Sequence, residues 1–212
     1  MKLYSYWRSS CSWRVRIALN LKGIPHEIVP VHLVRGEHEA ADHRARSPLG
    51  QVPALETEHG ALSQSMAILE YLEEVYPTPA LLPRDVWQRG QVRAVAEAIN
   101  SGIQPIQNLA VTRHVAATFQ GDATVWNRHW ITRGLDRLEP VAQATRAQGP
   151  FFFGDAPTLA DLCLVPQLYN ARRFGCPVES WPGLLAIEAA CVGLTAFHQA
   201  HPDQQPDAEK ST

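Results

Sequence analysis

Apolar residues recur along the first eighty positions in two rhythms. Residues 2–6 and 26–33 read as short strands, and between them Ser10–Leu21 carries an apolar stripe through Val15, Ala18, Leu19 and Leu21 at helical spacing. Gly23-Ile24-Pro25 ends that helix. A helical crossover between two strands predicts a parallel βαβ unit. Residues 36–46 are polar and predict a loose connection. After the turn Ser47-Pro48-Leu49-Gly50, residues 51–55 open a predicted hairpin that reverses near Glu58-His59-Gly60. Pro53 is tolerated at the first residue of a strand, and a cis Val52-Pro53 bond is expected there. Ser63-Gln64-Ser65 then opens a helix over residues 66–75, with Ile68, Leu69 and Leu72 on its apolar face and a serine as its cap.

Pro77, Pro79 and Pro83 interrupt the chain over residues 76–83 and predict a linker. Beyond it the rhythm is helical, over residues 85–117, 124–146, 158–174 and, as a broken pair, 182–198. Thr158-Leu159-Ala160-Asp161 has the spacing of a capping box, with Asp in place of Glu. Residues 202–212 are polar and are expected to fray. The pattern therefore predicts an α/β domain over residues 1–80 and an all-helical domain over residues 84–212.

Composition narrows the class of protein. With 45% apolar and 19% charged residues the chain can bury a core, and a net charge of -2 leaves no electrostatic footprint for nucleic acid or an anionic membrane. A small-molecule partner is expected. No apolar run reaches the ~18 residues of a membrane span, and the first residues lead into a strand rather than a signal peptide, so a cytosolic location is expected. Cys11, Cys163, Cys176 and Cys191 form no CxxC pair and have no histidines at zinc spacing, so neither a disulfide framework nor a metal site is expected. Three of them read as small buried hydrophobes. Cys11 sits where strand becomes helix, among hydroxyl groups.

That junction, Arg8-Ser9-Ser10-Cys11-Ser12-Trp13-Arg14, is the most informative stretch. A helix start carries unpaired amides and partial positive charge, so an anion there gains roughly 0.3 to 1 kcal/mol, and a thiolate is favoured over its thiol. Taken alone, the segment reads equally well as an ordinary serine cap. Gln104 and Asn108, four apart in a predicted helix, share one face. Guanidinium forks such as those of Arg8 and Arg173 suit carboxylates, although an arginine near a helix end is often only solvated.

Ser9-Ser10-Cys11-Ser12-Trp13-Arg14-Val15-Arg16-Ile17-Ala18-Leu19 resembles the signature of the zeta-class glutathione transferases, the maleylacetoacetate and maleylpyruvate isomerases. Gln51-Val52-Pro53, Gln64-Ser65, residues 102–109 and residues 158–167 resemble further motifs of that family in the same order. The resemblance implies a thioredoxin-like domain followed by a helical domain, a homodimer, and glutathione as cofactor. It also implies cis-trans isomerisation of a small unsaturated dicarboxylate by reversible addition of the glutathione thiolate. Ser9, with Ser10 and Cys11, would hold the thiolate. Val52 would pair with the cysteinyl backbone, and Gln64 and Ser65 would take the γ-glutamyl carboxylate. His38 would approach the glycyl end, Gln104 and Asn108 would complete the cofactor site, and Arg8 and Arg173 would bind substrate carboxylates. A shortened loop around residues 35–38 favours maleylpyruvate as substrate, with maleylacetoacetate isomerisation or general conjugation of electrophilic acids as alternatives. Were Cys11 the nucleophile, the chemistry would shift towards thiol exchange.

Overall fold

The computed structural model describes residues 1–209, the side chain of Arg146 excepted. Its first unit is a four-stranded sheet with helices. β1 (Lys2–Ser5) is followed by α1 (Ser10–Leu21), β2 (Glu27–Pro30), α2 (Ala41–Arg46), β3 (Ala54–Thr57), β4 (Gly60–Ser63) and α3 (Ser65–Val75). Strand order is β2-β1-β3-β4, with β1 and β2 parallel and the other pairs antiparallel. Leu3, opposite Ile28 on one side and Leu55 on the other, is fully buried. The apolar stripes foreseen for α1 and α3 are buried too, through Val15, Ala18, Leu19, Ile68, Leu69 and Leu72, while Leu21 at the end of α1 is only partly buried.

Two departures from the sequence reading have local causes. The polar stretch expected to be a loop contains α2, which no hydrophobic rhythm announces. Its one buried residue, His43, is held by a contact of Nε2 with the Gln51 carbonyl at 3.0 Å. The hairpin's first strand starts at Ala54 rather than Gln51, and the Val52-Pro53 bond before it is cis. The proline-rich segment is pinned by Lys22, whose Nζ donates to Glu73 Oε2 (2.8 Å) and to the carbonyls of Tyr76 (2.6 Å) and Pro79 (2.7 Å). Glu73 also accepts the Leu81 N–H.

The second unit, residues 82–192, is helical: α4 (Val86–Asn100), α5 (Leu109–Phe119), α6 (Ala123–Thr145), α7 (Leu159–Arg173) and α8 (Pro182–Val192). α7 is its central element, buried without interruption from Leu159 to Leu168, and α4 packs along it. The capping box forms. Asp161, wholly buried, accepts the Thr158 N–H (2.7 Å) and hydroxyl (2.9 Å) on Oδ2 and the Phe152 N–H (2.8 Å) on Oδ1. Burial pushes its carboxyl pKa up while these bonds pull it back. The single helix expected over residues 85–117 is corrected: α4 ends at Asn100, and a 3-10 turn, Gln104–Gln107, precedes α5. Pro105 lies at the start of that turn, where its missing N–H costs no intrahelical bond.

The expectation that residues 84–212 form one helical domain is also corrected. Residues 193–209 belong to the first unit, where α9 (Thr195–Ala200) packs on α1. Asn20 Nδ2 donates to the Ala196 carbonyl (3.2 Å) and Arg16 Nε to the Ala200 carbonyl (3.1 Å). Nor does the chain fray at Pro202. A 3-10 turn, Pro202–Gln204, is closed by Gln205, and Asp207 and Glu209 bond to Trp7 and His32. Residues 210–212 of the expected frayed tail lie outside the described residues. No helix among the described residues is long and apolar enough to cross a membrane.

Candidate functional site

β1 passes into α1 through a turn in which the Ser9 N–H donates to the Tyr6 carbonyl at 3.0 Å. Ser9 is the N-cap of α1, and its Oγ accepts the Ser12 N–H at 3.2 Å. A hydroxyl that has used one lone pair in this way still has its hydrogen to donate. Ser10 and Cys11 are the first two helical residues, so their amides are among those a helix leaves without an intrahelical partner. Ser10 is buried, whereas Cys11 is a partly exposed free thiol. Arg8 is partly exposed, and its guanidinium carbon lies 5.0 Å from the centre of the Trp7 ring.

Val52 joins this turn through packing, in one apolar cluster with Tyr6, Trp7, Val31 and Ala54. Strand pairing starts at Ala54, so the backbone of Val52 lies outside the ladder. Its neighbour Gln51 is tied to α3, since Gln64 Nε2 donates to Gln51 Oε1 at 2.9 Å. Gln64 adopts φ 75 and ψ 116 at the N-cap position of α3 and makes no side-chain cap. Such a backbone costs a non-glycine residue roughly 1–3 kcal/mol and is tolerated where the surroundings hold it. The expected serine cap is therefore corrected: Ser65 is the first helical residue, and its Oγ accepts a hydrogen bond from Arg14 Nη1 at 3.3 Å. Arg14 is 1% exposed, which places a buried cation at the positive end of α3.

His38 stands in a 3-10 turn, Glu37–Glu39, with Nε2 3.5 Å from Glu39 Oε1. That turn lies against the loop before Val52: Gly50, at φ +61, approaches so closely that a Cβ would sit 3.1 Å from the His38 carbonyl oxygen.

The remaining predicted residues lie in the helical unit. Gln104 opens the 3-10 turn, and Asn108 is the extended N-cap of α5, with Oδ1 accepting the Leu109 N–H. The shared helix face expected for these two is corrected, because no helix runs through both. Gln107, which sequence reasoning missed, is the buried residue of the turn and exchanges hydrogen bonds with Gln167 of α7. Arg173 ends α7, its guanidinium carbon 5.0 Å from the centre of the Phe174 ring, while Arg172 forms a fork with both oxygens of Glu188.

Residues 1–74 match the family model for the glutathione S-transferase N-terminal domain, and residues 110–200 that for the C-terminal domain. The chain belongs to the glutathione S-transferase family. A relative from Drosophila melanogaster, probable maleylacetoacetate isomerase 2, is 48% identical over 97% of this chain and 89% of its own. Among solved structures, the holo form of a maleylpyruvate isomerase, described as a bacterial zeta-class glutathione transferase, has a TM-score of 0.96 at 46% identity, covering 99% of this chain and 100% of its own. The maleylacetoacetate isomerase of Anaeromyxobacter dehalogenans 2CP-1, with dicarboxyethyl glutathione and citrate in its active site, has a TM-score of 0.87 at 50% identity, covering 99% and 94%.

In this glutathione transferase several residues that support the candidate site went unread in the sequence. Arg14 and Arg16 are both 1% exposed on α1, which is buried on every side from Ser12 to Leu19, and a charged residue repeated inside an apolar run is the signal that could have found them. Asp207 gave no such signal, because its role depends on a contact 200 residues away along the chain; Gln51 was legible only as part of the Gln51-Val52-Pro53 motif, and its bond to Gln64 was not.

Proposed function

We propose that this protein is a glutathione-dependent cis-trans isomerase that converts maleylpyruvate to fumarylpyruvate. The observation that carries the reading is a capped helix start with a donatable hydroxyl, Ser9, preceded by Tyr6 and Trp7 that pack with Val52, and linked through α1 to a second helix start holding a buried cation, Arg14. The donor set fits glutathione. Ser65 and the start of α3 suit the γ-glutamyl carboxylate, the backbone of Val52 suits the cysteinyl portion, and the His38 turn is proposed for the glycyl end. Bound glutathione supplies a sulfur nucleophile that adds reversibly to a conjugated alkene, leaves it free to rotate, and is recovered unchanged.

The protein's part is electrostatic. Ser9 donates its hydroxyl hydrogen to the sulfur anion, and the amides of Ser10 and Cys11 add the partial charge of the helix start. Serine holds a thiolate without forming a disulfide, so Ser9 is the main partner and Cys11 an auxiliary one. Arg8 and Arg173 orient the substrate carboxylates, and Gln104 and Asn108 are the proposed ligands from the helical unit. A dicarboxyethyl group is what remains when a thiol adds to a four-carbon unsaturated diacid, so the glutathione conjugate in the Anaeromyxobacter relative supports this chemistry. Maleylacetoacetate is the second reading, favoured by the relatives of that name at 48% and 50% identity. We also propose a homodimer, in which a second copy covers Val86 and Trp87 on α4, 82% and 75% exposed in the single chain.

The test is to follow loss of each cis isomer with and without glutathione. Faster turnover of maleylpyruvate, strictly dependent on the thiol, is expected; unchanged catalysis without any thiol would refute the proposal. Ser9→Ala should lower kcat by about 10²-fold, the scale for loss of a charge-stabilising donor, with glutathione affinity nearly retained. Equal losses in both would reduce Ser9 to a binding role.

A further inference from the structure

The turn that presents Arg8 and Ser9 is gripped from two sides by groups outside it. The Trp7 N–H donates to Asp207 Oδ2 at 3.0 Å, across 200 residues of sequence. The Trp7 carbonyl accepts from Arg16 Nη2 at 2.8 Å, and the Tyr6 carbonyl from Arg16 Nη1 at 3.4 Å. Two consecutive peptide planes, one on each side of the Trp7 Cα, are thereby fixed, and rotating either breaks a hydrogen bond. Arg16 is itself anchored by the Ser5 hydroxyl (3.0 Å) and the Ala200 carbonyl (3.1 Å). Burial pulls its pKa down to about 9, and the charge of Asp207 opposes that fall. Asp207 Oδ1 is buried and makes no hydrogen bond among the described residues, so this carboxylate's hydrogen bonding is given to Trp7. Ala208 next to it packs on the cluster that contains Tyr6, Trp7 and Val52.

We infer that Asp207 is a positioning residue of the isomerase site. It locks the turn before α1 so that the Ser9 hydroxyl and the Arg8 guanidinium are held where the thiolate and the substrate carboxylate require them. Geometry of this kind matters because small misplacements of reacting groups are costly in rate. The inference rests on the function proposed above, yet its structural half can be read without any substrate.

The experiment compares Asp207→Ala and Asp207→Asn with the parent chain by three measurements. These are amide hydrogen exchange of the segment containing Trp7 in the absence of glutathione, ultraviolet titration of the bound glutathione thiol, and the kcat and KM of isomerisation. In Asp207→Ala the exchange is expected to quicken about tenfold, the thiol pKa to rise and kcat to fall about tenfold, with KM for glutathione within about threefold. The amide oxygen of Asp207→Asn can still accept the Trp7 N–H, though more weakly than a charged group, so kcat should recover to within about threefold of the parent. Parent-like exchange and kcat in Asp207→Ala overturn the inference, as does a rise in glutathione KM that matches the loss in kcat. Should Asp207→Ala not fold, Asp207→Ser decides, because its hydroxyl ends one bond short of the oxygen that accepts the Trp7 N–H: faster Trp7 exchange with reduced kcat supports the role, and parent values of both end it. A parent chain inactive with glutathione would sink the proposed function, while the exchange data would still decide whether Asp207 holds the turn.

Discussion

A guanidinium almost sealed from water must have an acceptor for nearly every N–H it carries, and Arg16 finds them on Ser5, Tyr6, Trp7 and Ala200. Arg16→Met should therefore destabilise the protein by about 3 kcal/mol, measured as a shift in the urea unfolding midpoint, since buried carbonyls lose their donor. The same change at exposed Arg44 is expected to move stability by no more than about 0.5 kcal/mol. At this scale the sequence was readable wherever chemistry is local. Ser9 declares a helix cap by residue type and position. Gln64 does not, because its positive φ is imposed by the loop and helix on either side. The bond between Arg14 and Ser65 joins residues 51 apart, and no local pattern encodes it.

Elements were legible where one face is apolar and obscured where tertiary contacts override the pattern. α1 and α3 follow their stripes almost to the residue, whereas α2 depends on one buried histidine and the break after α4 on a proline turn tied down by Gln107 and Gln167. The clamp of Lys22 on the end of α3 and the linker offers a test of element-level stability. Lys22→Met should cost about 3 kcal/mol in urea unfolding, because the buried Glu73 carboxylate loses the ammonium 2.8 Å from it. The return of α9 to α1 brings a pH dependence. His201 packs edge-on against Trp13 with ring centroids 5.1 Å apart, and burial lowers its pKa below the usual value; Asp203 opposes this, while His198 and Arg16 add to it. As pH falls below about 6.5 the unfolded chain takes the proton first. The contribution of His201 is thus full above that pH and is lost as pH drops through the lowered folded value. Unfolding midpoints at pH 7.5 and 5.5 should show this decline, and His201→Gln should flatten it.

For the whole molecule, the change of rhythm at the prolines was enough to separate an α/β part from a helical part. The return of residues 193–209 was not visible, since α9 is a short helix like any other until its partner is known. If a second copy covers α4, light scattering should give about twice the monomer mass, and Trp87→Glu should shift the protein towards monomer. The discontinuous first unit also limits how such proteins can be recombined. A gene spliced at residue 81 to receive a foreign helical domain would keep the serine turn and surrender its clasp, leaving Arg16 without the Ala200 carbonyl and Trp7 without Asp207. Working chimeras need two junctions, one on each side of the helices, with both flanking pieces taken from the same parent.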